Sequence, residues 1–186
     1  KLSIIKKSIL LSLLFSQILF PSYGQTQLDK EIFRVVNEYR ISNGLNVWVW
    51  NQDLFKVSEK HNYYQTQIKN ISHDESIDIK DHVEVRRLGD RVSEGVGSNW
   101  GCVGENLACI PSENLTISEI VEIVLNGWIA SPQHHKLLLS SKIMFQYGSV
   151  SSHRSSEYVG AKKCKEWTYI TLNVLWLDDS LPKYNF

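Results

Sequence analysis

Apolar residues recur at helical spacing in the first part of the chain. The segment from Asp29 to Ser42 is predicted to be a helix that ends before Gly44. Its apolar stripe consists of Leu28, Ile32, Val35, Val36 and Tyr39. The short segment Val47 to Trp50 is β-branched and aromatic, and therefore predicts an extended connection. A second helix is predicted after Asn51, a favourable N-cap, with Leu54, Val57 and His61 on one face. We expect His61 to be a hydrogen-bonded core residue.

The third helical pattern is the clearest in the chain. It begins with a capping box, Thr116 and Glu119, in which each side chain bonds the other's backbone N–H. The apolar stripe that follows is Ile117, Ile120, Val121, Val124, Leu125 and Trp128. Glu119 and Glu122 lie off this stripe and should face solvent. Pro132 then begins a short turn that carries His134.

The remaining segments predict a polar middle and a β-rich end. Between Asp74 and Gly101 the chain is polar, with a short helix predicted near Asp81 to Val92. Residues Gln146 to Ser152 alternate as a strand does, and Trp167 to Trp176 is rich in β-branched and aromatic residues. The hydrophilic stretch from His153 to Lys165 is predicted to be a hairpin loop. Helices that precede strands favour an α+β fold.

The first residues resemble a targeting segment. Lys1, Lys6 and Lys7 precede an apolar run from Ile9 to Phe20, with small residues around Gly24. We predict a secretory signal peptide at 1–24, cleaved before Gln25, with one domain at 25–186. The run is shorter than the ~20 residues of a membrane span, so we expect no transmembrane segment after cleavage; an uncleaved anchor is the alternative. The predicted location is secreted, either extracellular or periplasmic.

Charge and cysteine content narrow the function classes. The chain has 20 basic and 20 acidic side chains and no basic stripe, which excludes a nucleic-acid footprint. Its three cysteines, in a secreted protein, predict one disulfide and one free or intermolecular thiol. We favour Cys102 with Cys109, which requires the chain between them to turn; Cys109 with Cys164 stays open.

Three short segments carry the candidate chemistry. They are Ser72-His73, then Gly104-Glu105-Asn106-Leu107-Ala108, then Trp128-Ile129-Ala130-Ser131-Pro132-Gln133-His134. In this order they resemble the CAP superfamily (cysteine-rich secretory, antigen 5 and pathogenesis-related-1 domains), in its bacterial SCP-like branch. Asn37, Arg40, Gly44-Leu45 and Trp50-Asn51-x-x-Leu54 extend the resemblance. It implies a three-layer α-β-α sandwich around a small antiparallel sheet.

The resemblance also implies a cleft lined by two His and a Glu, here His73, Glu105 and His134. Asn106 and Ser131 belong to the same blocks, and Asn106 is expected to bond backbone groups in a turn. Imidazoles from two segments could hold a divalent cation, with zinc the first choice by ligand type. Ser131 stands where many members have a second Glu, and His135 stands where an Arg usually follows the second His.

Three functions remain open at this point. The resemblance favours a binding module for a lipid, a cell-envelope component or a partner protein. The alternative is a metal-assisted hydrolase of a peptide or cell-wall substrate, with His73 and His134 as ligands and Glu105 as general base. The third is a structural envelope protein whose cleft is vestigial. No Gly-x-Ser-x-Gly motif supports a serine nucleophile.

Overall fold

The computed structural model describes residues 25–79, 82–141, 144–156 and 166–178. The predicted signal peptide, Cys164 and most of the predicted hairpin loop lie outside them. The helices are α1 (Gln27–Ser42), α2 (Gln52–Ile68), α3 (Leu88–Val96), α4 (Ile117–Ala130) and α5 (Pro132–Leu138). The strands are β1 (Val49–Trp50), β2 (Glu75–Ile79), β3 (His82–Arg86), β4 (Trp100–Pro111), β5 (Tyr147–Ser155) and β6 (Trp167–Leu177).

The helix starts follow the capping signals of the sequence. Thr26 and Asp29 form a capping box at α1, and Asn51 accepts a 2.8 Å hydrogen bond from the Leu54 N–H at α2. The predicted box of Thr116 and Glu119 starts α4. Because these side chains satisfy backbone donors that the helix leaves unpaired, they fix where each helix begins. The three long helices are therefore confirmed.

Within the described ranges the main sheet is mixed and has four strands in the order β1-β5-β6-β4. β6 pairs antiparallel with both β4 and β5, and the two-residue β1 pairs parallel with β5. The expected antiparallel sheet is thus correct for its three long strands, while β1 adds a parallel edge. α1 and α4 pack together on one side, and α2 and α3 pack on the other, so the fold is the expected three-layer α+β sandwich.

The two sides of the sheet differ in polarity. On the α1/α4 side, the apolar core includes Ile32, Val36, Trp48, Ile120, Val124, Trp128, Val150 and Leu172. On the α2 side, buried polar residues bond across the interface, as Ser58 does with Ser149 at 2.9 Å. Glu105 of β4 pairs in register with Asn173 of β6, so it lies on this polar side. A carboxylate there extends an interface that already consists of hydrogen-bonding groups.

The polar middle segment folds differently from the sequence prediction. A helix near Asp81 to Val92 is wrong in its first half, because β2 and β3 form an antiparallel pair there and α3 begins only at Leu88. Val83 and Val85 alternate with Glu84, which is a strand period rather than a helical one. Both valines are exposed, so neither belongs to the apolar face that a helix would pack against the core.

The segment between Cys102 and Cys109 is part of the strand β4 and does not turn. The favoured disulfide between these two cysteines is therefore wrong. Cys102 and Cys109 lie seven residues apart on β4, and both thiols are free. At ~3.3 Å per residue their Cα atoms are separated by more than ~20 Å, against ~7 Å for a disulfide. The alternative pairing, with Cys164, involves a residue outside those described. Within the described part of the chain, no helix is both long and apolar enough to cross a membrane.

Candidate functional site

A cleft of about 480 Å³ opens along the middle of β4. It is lined by His73, Gly104, Glu105, Asn106, Ser131, Gln133, His134 and Leu137. All five residues that the sequence singled out therefore lie together. Adjacent residues of a strand point to opposite faces, so Glu105 and Asn106 reach to either side of β4. His73 lies on the Glu105 side and His134 on the Asn106 side.

Glu105 is buried and has a partner at each oxygen. Its side chain is only 1% exposed. Oε1 accepts a 3.0 Å hydrogen bond from Nδ1 of His73, and Oε2 lies 2.9 Å from Nη2 of Arg91. Since a carboxylate can only accept, the His73 proton on this bond must sit on Nδ1, which leaves Nε2 for the cleft. Glu105 thus orients His73.

Arg91 connects this carboxylate to a second one. Its guanidinium is 3% exposed, and Nη1 donates to the His73 carbonyl oxygen at 2.7 Å. On its other side, Nε lies 3.7 Å from Oε1 of Glu75. That same oxygen lies 2.8 Å from Nδ1 of His61. One cation therefore lies between two buried carboxylates and holds the segment that carries His73.

Part of the hydrogen-bond network behind the cleft was not predicted from the sequence. His61 was expected to be a bonded core residue, and it is fully buried, with Nε2 donating to the Ser72 carbonyl oxygen at 2.8 Å. Its position 3.9 Å from Glu105 places it behind the cleft. Glu75 and Arg91 gave no local signal, because both belong to the segment from Asp74 to Gly101, which was interpreted only as polar. Only their buried position shows that they support the cleft.

The opposite wall depends on α5 and on Asn106. The Asn106 Nδ2 group donates to the His134 carbonyl oxygen at 3.0 Å, so its bond is to a neighbouring helix and not within the expected turn. Ser131 is the residue before α5, and its hydroxyl makes no capping bond. His135 points elsewhere and contacts the Tyr39 hydroxyl at 2.8 Å. Of the two adjacent histidines, only His134 lines the cleft.

Two further contacts set the position of α5. Gly104 lies so close to the helix that a Cβ added there would be 2.5 Å from Cδ1 of Leu137. The buried guanidinium of Arg40 donates to the carbonyl oxygens of Leu138 and Ser140, at 2.7 and 2.9 Å. Because these carbonyls end the helix, Arg40 both satisfies them and holds α5 against α1. His134 is thereby kept beside β4.

The two imidazoles of the cleft have opposite electrostatic environments. The hydrogen bond to Glu105 raises the pKa of His73 above its ordinary value. Burial lowers the pKa of His134, and the nearby His73 adds to this effect. His73 is nevertheless 59% exposed at its side chain, so it remains accessible from solvent. The pair offers one more basic and one less basic nitrogen to a ligand.

Two side chains of the cleft, His73 and His134, are of a type that ligates metal ions. No group of three or more His, Cys, Asp or Glu side chains suited to a metal ion is found among the described residues. His73 bonds a carboxylate through Nδ1, as many metal-ligating histidines do. His73 and His134 are therefore the cleft residues that would hold a cation.

Comparison with known proteins identifies the fold. The model of the CAP, or cysteine-rich secretory protein, family matches residues 33–156. The chain belongs to the CAP family. The matched range contains all eight residues that line the cleft and the whole of α2 to α5. No curated protein matches this CAP chain significantly in sequence.

Solved bacterial structures share this CAP fold. An extracellular protein with an SCP domain from Bacillus anthracis is 23% identical, with a TM-score of 0.55, over 83% of this chain and 45% of that one. An outer surface protein from Borrelia burgdorferi is 15% identical, with a TM-score of 0.57, over 86% of this chain and 100% of that one. A cysteine-rich secretory protein from Staphylococcus aureus is 17% identical, with a TM-score of 0.53, over 83% of this chain and 40% of that one. The chain thus spans less than half the length of two of these proteins.

Proposed function

We propose that this CAP domain acts outside the cytoplasm as a binding module and that the cleft on β4 holds its ligand. The predicted signal peptide supports the location, as do the descriptions of two similar structures as extracellular and outer surface proteins. Histidine, amide and hydroxyl groups line the cleft beside Leu137 and Gly104, so its surface is both polar and apolar. The polar groups suit a ligand that forms hydrogen bonds, such as a polar envelope component or a partner protein.

The observation that carries the proposal is the state of Glu105. A general base needs an oxygen free to accept a proton from water or substrate. Glu105 instead has its side chain buried and both oxygens engaged, one by His73 and one by Arg91. It serves to orient His73, whose Nε2 is left for a ligand. This arrangement favours binding over the hydrolase alternative, in which Glu105 is the base.

We further propose that a divalent cation, zinc by ligand type, is held between Nε2 of His73 and the imidazole of His134. Bound there, it would offer a Lewis-acid position to a ligand oxygen. With two protein ligands the ion has fewer than the three of catalytic zinc sites. We expect such a site to exchange its cation with solvent. It should bind the cation most tightly when a ligand supplies further donor atoms to the ion.

Calorimetry with zinc tests the proposal. The double variant His73→Ala/His134→Ala should lose affinity by at least about tenfold while it keeps its unfolding midpoint. His153→Ala is the matched control, because His153 is an exposed histidine on β5, outside the cleft lining. It should bind as the wild type does. Equal zinc binding by all three proteins would place the cation elsewhere and contradict the proposal.

Glu105→Gln separates binding from hydrolysis. The amide can still accept a hydrogen bond from His73, but it cannot act as a base. Binding that persists in this variant, without turnover of peptide or cell-wall substrates by the wild type, supports the module. Turnover by the wild type would establish the hydrolase, and its loss in a Glu105→Gln variant that keeps the unfolding midpoint of the wild type would assign a part in turnover to Glu105. If zinc and substrates fail to bind while the cleft variants change stability alone, the cleft is vestigial.

A further inference from the structure

Among the residues that the structure describes, the cleft lies on an unpaired edge of the sheet. β4 is 12 residues long and pairs there with β6 alone, so one side of its backbone faces away from the sheet. The register shows which groups face outward. Val49 and Asn51 donate to the carbonyls of Gln146 and Gly148, so even-numbered residues of β5 face β1 and odd-numbered ones face β6. The same alternation carries across β6 to β4.

On β4 the even-numbered residues therefore bond β6, as Gly104 does opposite Val174 and Asn106 does opposite Leu172. The backbone groups of Val103, Glu105 and Leu107 point outward. An independent contact confirms this orientation, because the Trp128 indole N–H donates to the Leu107 carbonyl oxygen at 3.0 Å. Trp128 thus covers the edge beyond the cleft.

At the cleft itself the edge is open. Among the described residues, no hydrogen bond reaches the backbone N–H or C=O of Val103 or Glu105. Glu105 is partly exposed as a residue although its side chain is 1% exposed, so its accessible surface is main chain. We call the outward N–H and C=O groups of Val103 and Glu105 the open edge. Lys and Pro, two of the residues that protect such edges in other proteins, do not occur over 100–110.

We propose that the open edge receives an extended peptide segment of a partner protein, which pairs with β4 as an additional strand. This rests on the proposed binding function and names its partner. The chemistry of the open edge indicates which partner binds there. Its alternating outward N–H and C=O groups are complementary to those of an extended peptide backbone. Peptide side chains would alternate between the two walls of the cleft. Hydroxyl-bearing residues fit the His73 side, and small apolar residues fit against Leu137.

Amide hydrogen exchange gives the most direct test. The probe is a set of acetylated hexapeptide amides in which Ser or Thr alternates with Val or Ala. On addition of the peptides, the amides of Val103 and Glu105 should exchange more slowly by at least about tenfold. Those of Gly104 and Asn106 are already bonded to β6 and should change little. The same peptides methylated at every backbone nitrogen keep their side chains but cannot donate, and they should have no effect.

A proline substitution provides the matched variant. Val103→Pro removes an outward N–H without removing a bond to β6, and Val103→Ala loses comparable packing but keeps the N–H. Peptide affinity should fall by at least about tenfold in the first variant only. Both variants should bind zinc as the wild type does. Loss of peptide binding at the open edge can therefore be distinguished from loss of zinc binding in the cleft. If Val103→Pro does not fold, the exchange measurement on the wild type decides.

Two results would overturn the inference. One is that no peptide of the set slows exchange at Val103 and Glu105. The other is slow exchange at these amides in the protein alone, in a manner that depends on protein concentration, because the edge would then pair with a second copy of this chain.

Discussion

Arg91 and Glu105 form a buried ion pair, with Nη2 of the arginine 2.9 Å from Oε2 of the glutamate. The two side chains are 3% and 1% exposed, and Arg91 also bonds the backbone of His73. The pair joins α3 to β4 and fixes the loop that carries one imidazole of the cleft. Removal of either partner would leave a charge in a place that water does not reach.

Replacement of Arg91 should therefore be costly. Arg91→Met leaves the carboxylates of Glu75 and Glu105 without their shared cation, and we expect the free energy of unfolding to fall by about 3–5 kcal/mol. Urea denaturation measures this loss. Arg154→Met is the control, since its ion pair with Glu166 lies at the surface and should contribute about 0–1 kcal/mol. Equal small losses in both variants would show that the buried pair does not support the fold.

An alanine at position 104 should crowd the cleft, because side chains approach Gly104 closely. In Gly104→Ala the new Cβ would lie 2.5 Å from Cδ1 of Leu137 and 3.1 Å from Cγ2 of Val174, so these side chains must shift, and we expect a loss of about 1–3 kcal/mol together with weaker zinc binding. Gly127→Ala is a matched control in the helix α4, where an added Cβ has no neighbour within 4 Å. It should stabilise the protein by about 0.4–1 kcal/mol. Thermal unfolding measures both effects, and we expect the midpoint to fall in Gly104→Ala and to rise in Gly127→Ala. A Gly104→Ala variant with the stability and zinc affinity of the wild type would contradict this prediction.

The two cleft histidines should titrate in opposite directions from their ordinary value of 6.5. For His73, whose pKa the bond to Glu105 raises, the stabilisation is complete below pH 6.5 and is lost as pH rises through the folded-state pKa. For His134, whose pKa burial lowers, the contribution is present above pH 6.5 and is lost as pH falls. NMR titration of the ring resonances measures both. Glu105→Gln should move the pKa of His73 down and leave that of His134 nearly unchanged; a His73 that titrates at or below 6.5 in the wild type contradicts the assigned bond.

Thiol mapping tests whether Cys102 and Cys109 are both free in the folded protein. Cys102 is exposed and should react readily with iodoacetamide. Cys109 should react more slowly, because burial raises the pKa of its thiol to about 11 and leaves little thiolate at neutral pH. Mass spectrometry of the folded monomer should show no peptide that links the two. Such a linked peptide, obtained without unfolding, would be incompatible with the strand.

Local patterns explain what the sequence could predict. The capping residues Thr26, Asn51 and Thr116 and the apolar stripes act within one helix, so they placed the three long helices correctly. The family resemblance then brought five residues from three segments to one cleft. The strand at Gly104 to Asn106 was missed because glycine, glutamate and asparagine are poor strand formers, and here a twelve-residue ladder with β6 determines the conformation.

The supporting charges could not be predicted for a related reason. Glu75, Arg91 and Glu105 are far apart in the chain, and each belongs to a segment whose neighbours are polar. Charged residues in such segments usually face solvent. Only the packing of α3 against β4, with Glu75 held beside Arg91 and His61, buries them together. The orienting role of Glu105 therefore emerges from the fold.

If the cleft holds a cation, His73 and His134 contact one ion across β4. A zinc titration of uniformly ¹⁵N-labelled protein, followed through the ring nitrogens of its histidines, measures this contact directly. We expect the resonances of Nε2 of His73 and of a ring nitrogen of His134 to shift together over the same range of zinc concentration, while those of His61 and His153 do not shift. Independent shifts of the two cleft imidazoles, or no shift in either, would contradict it.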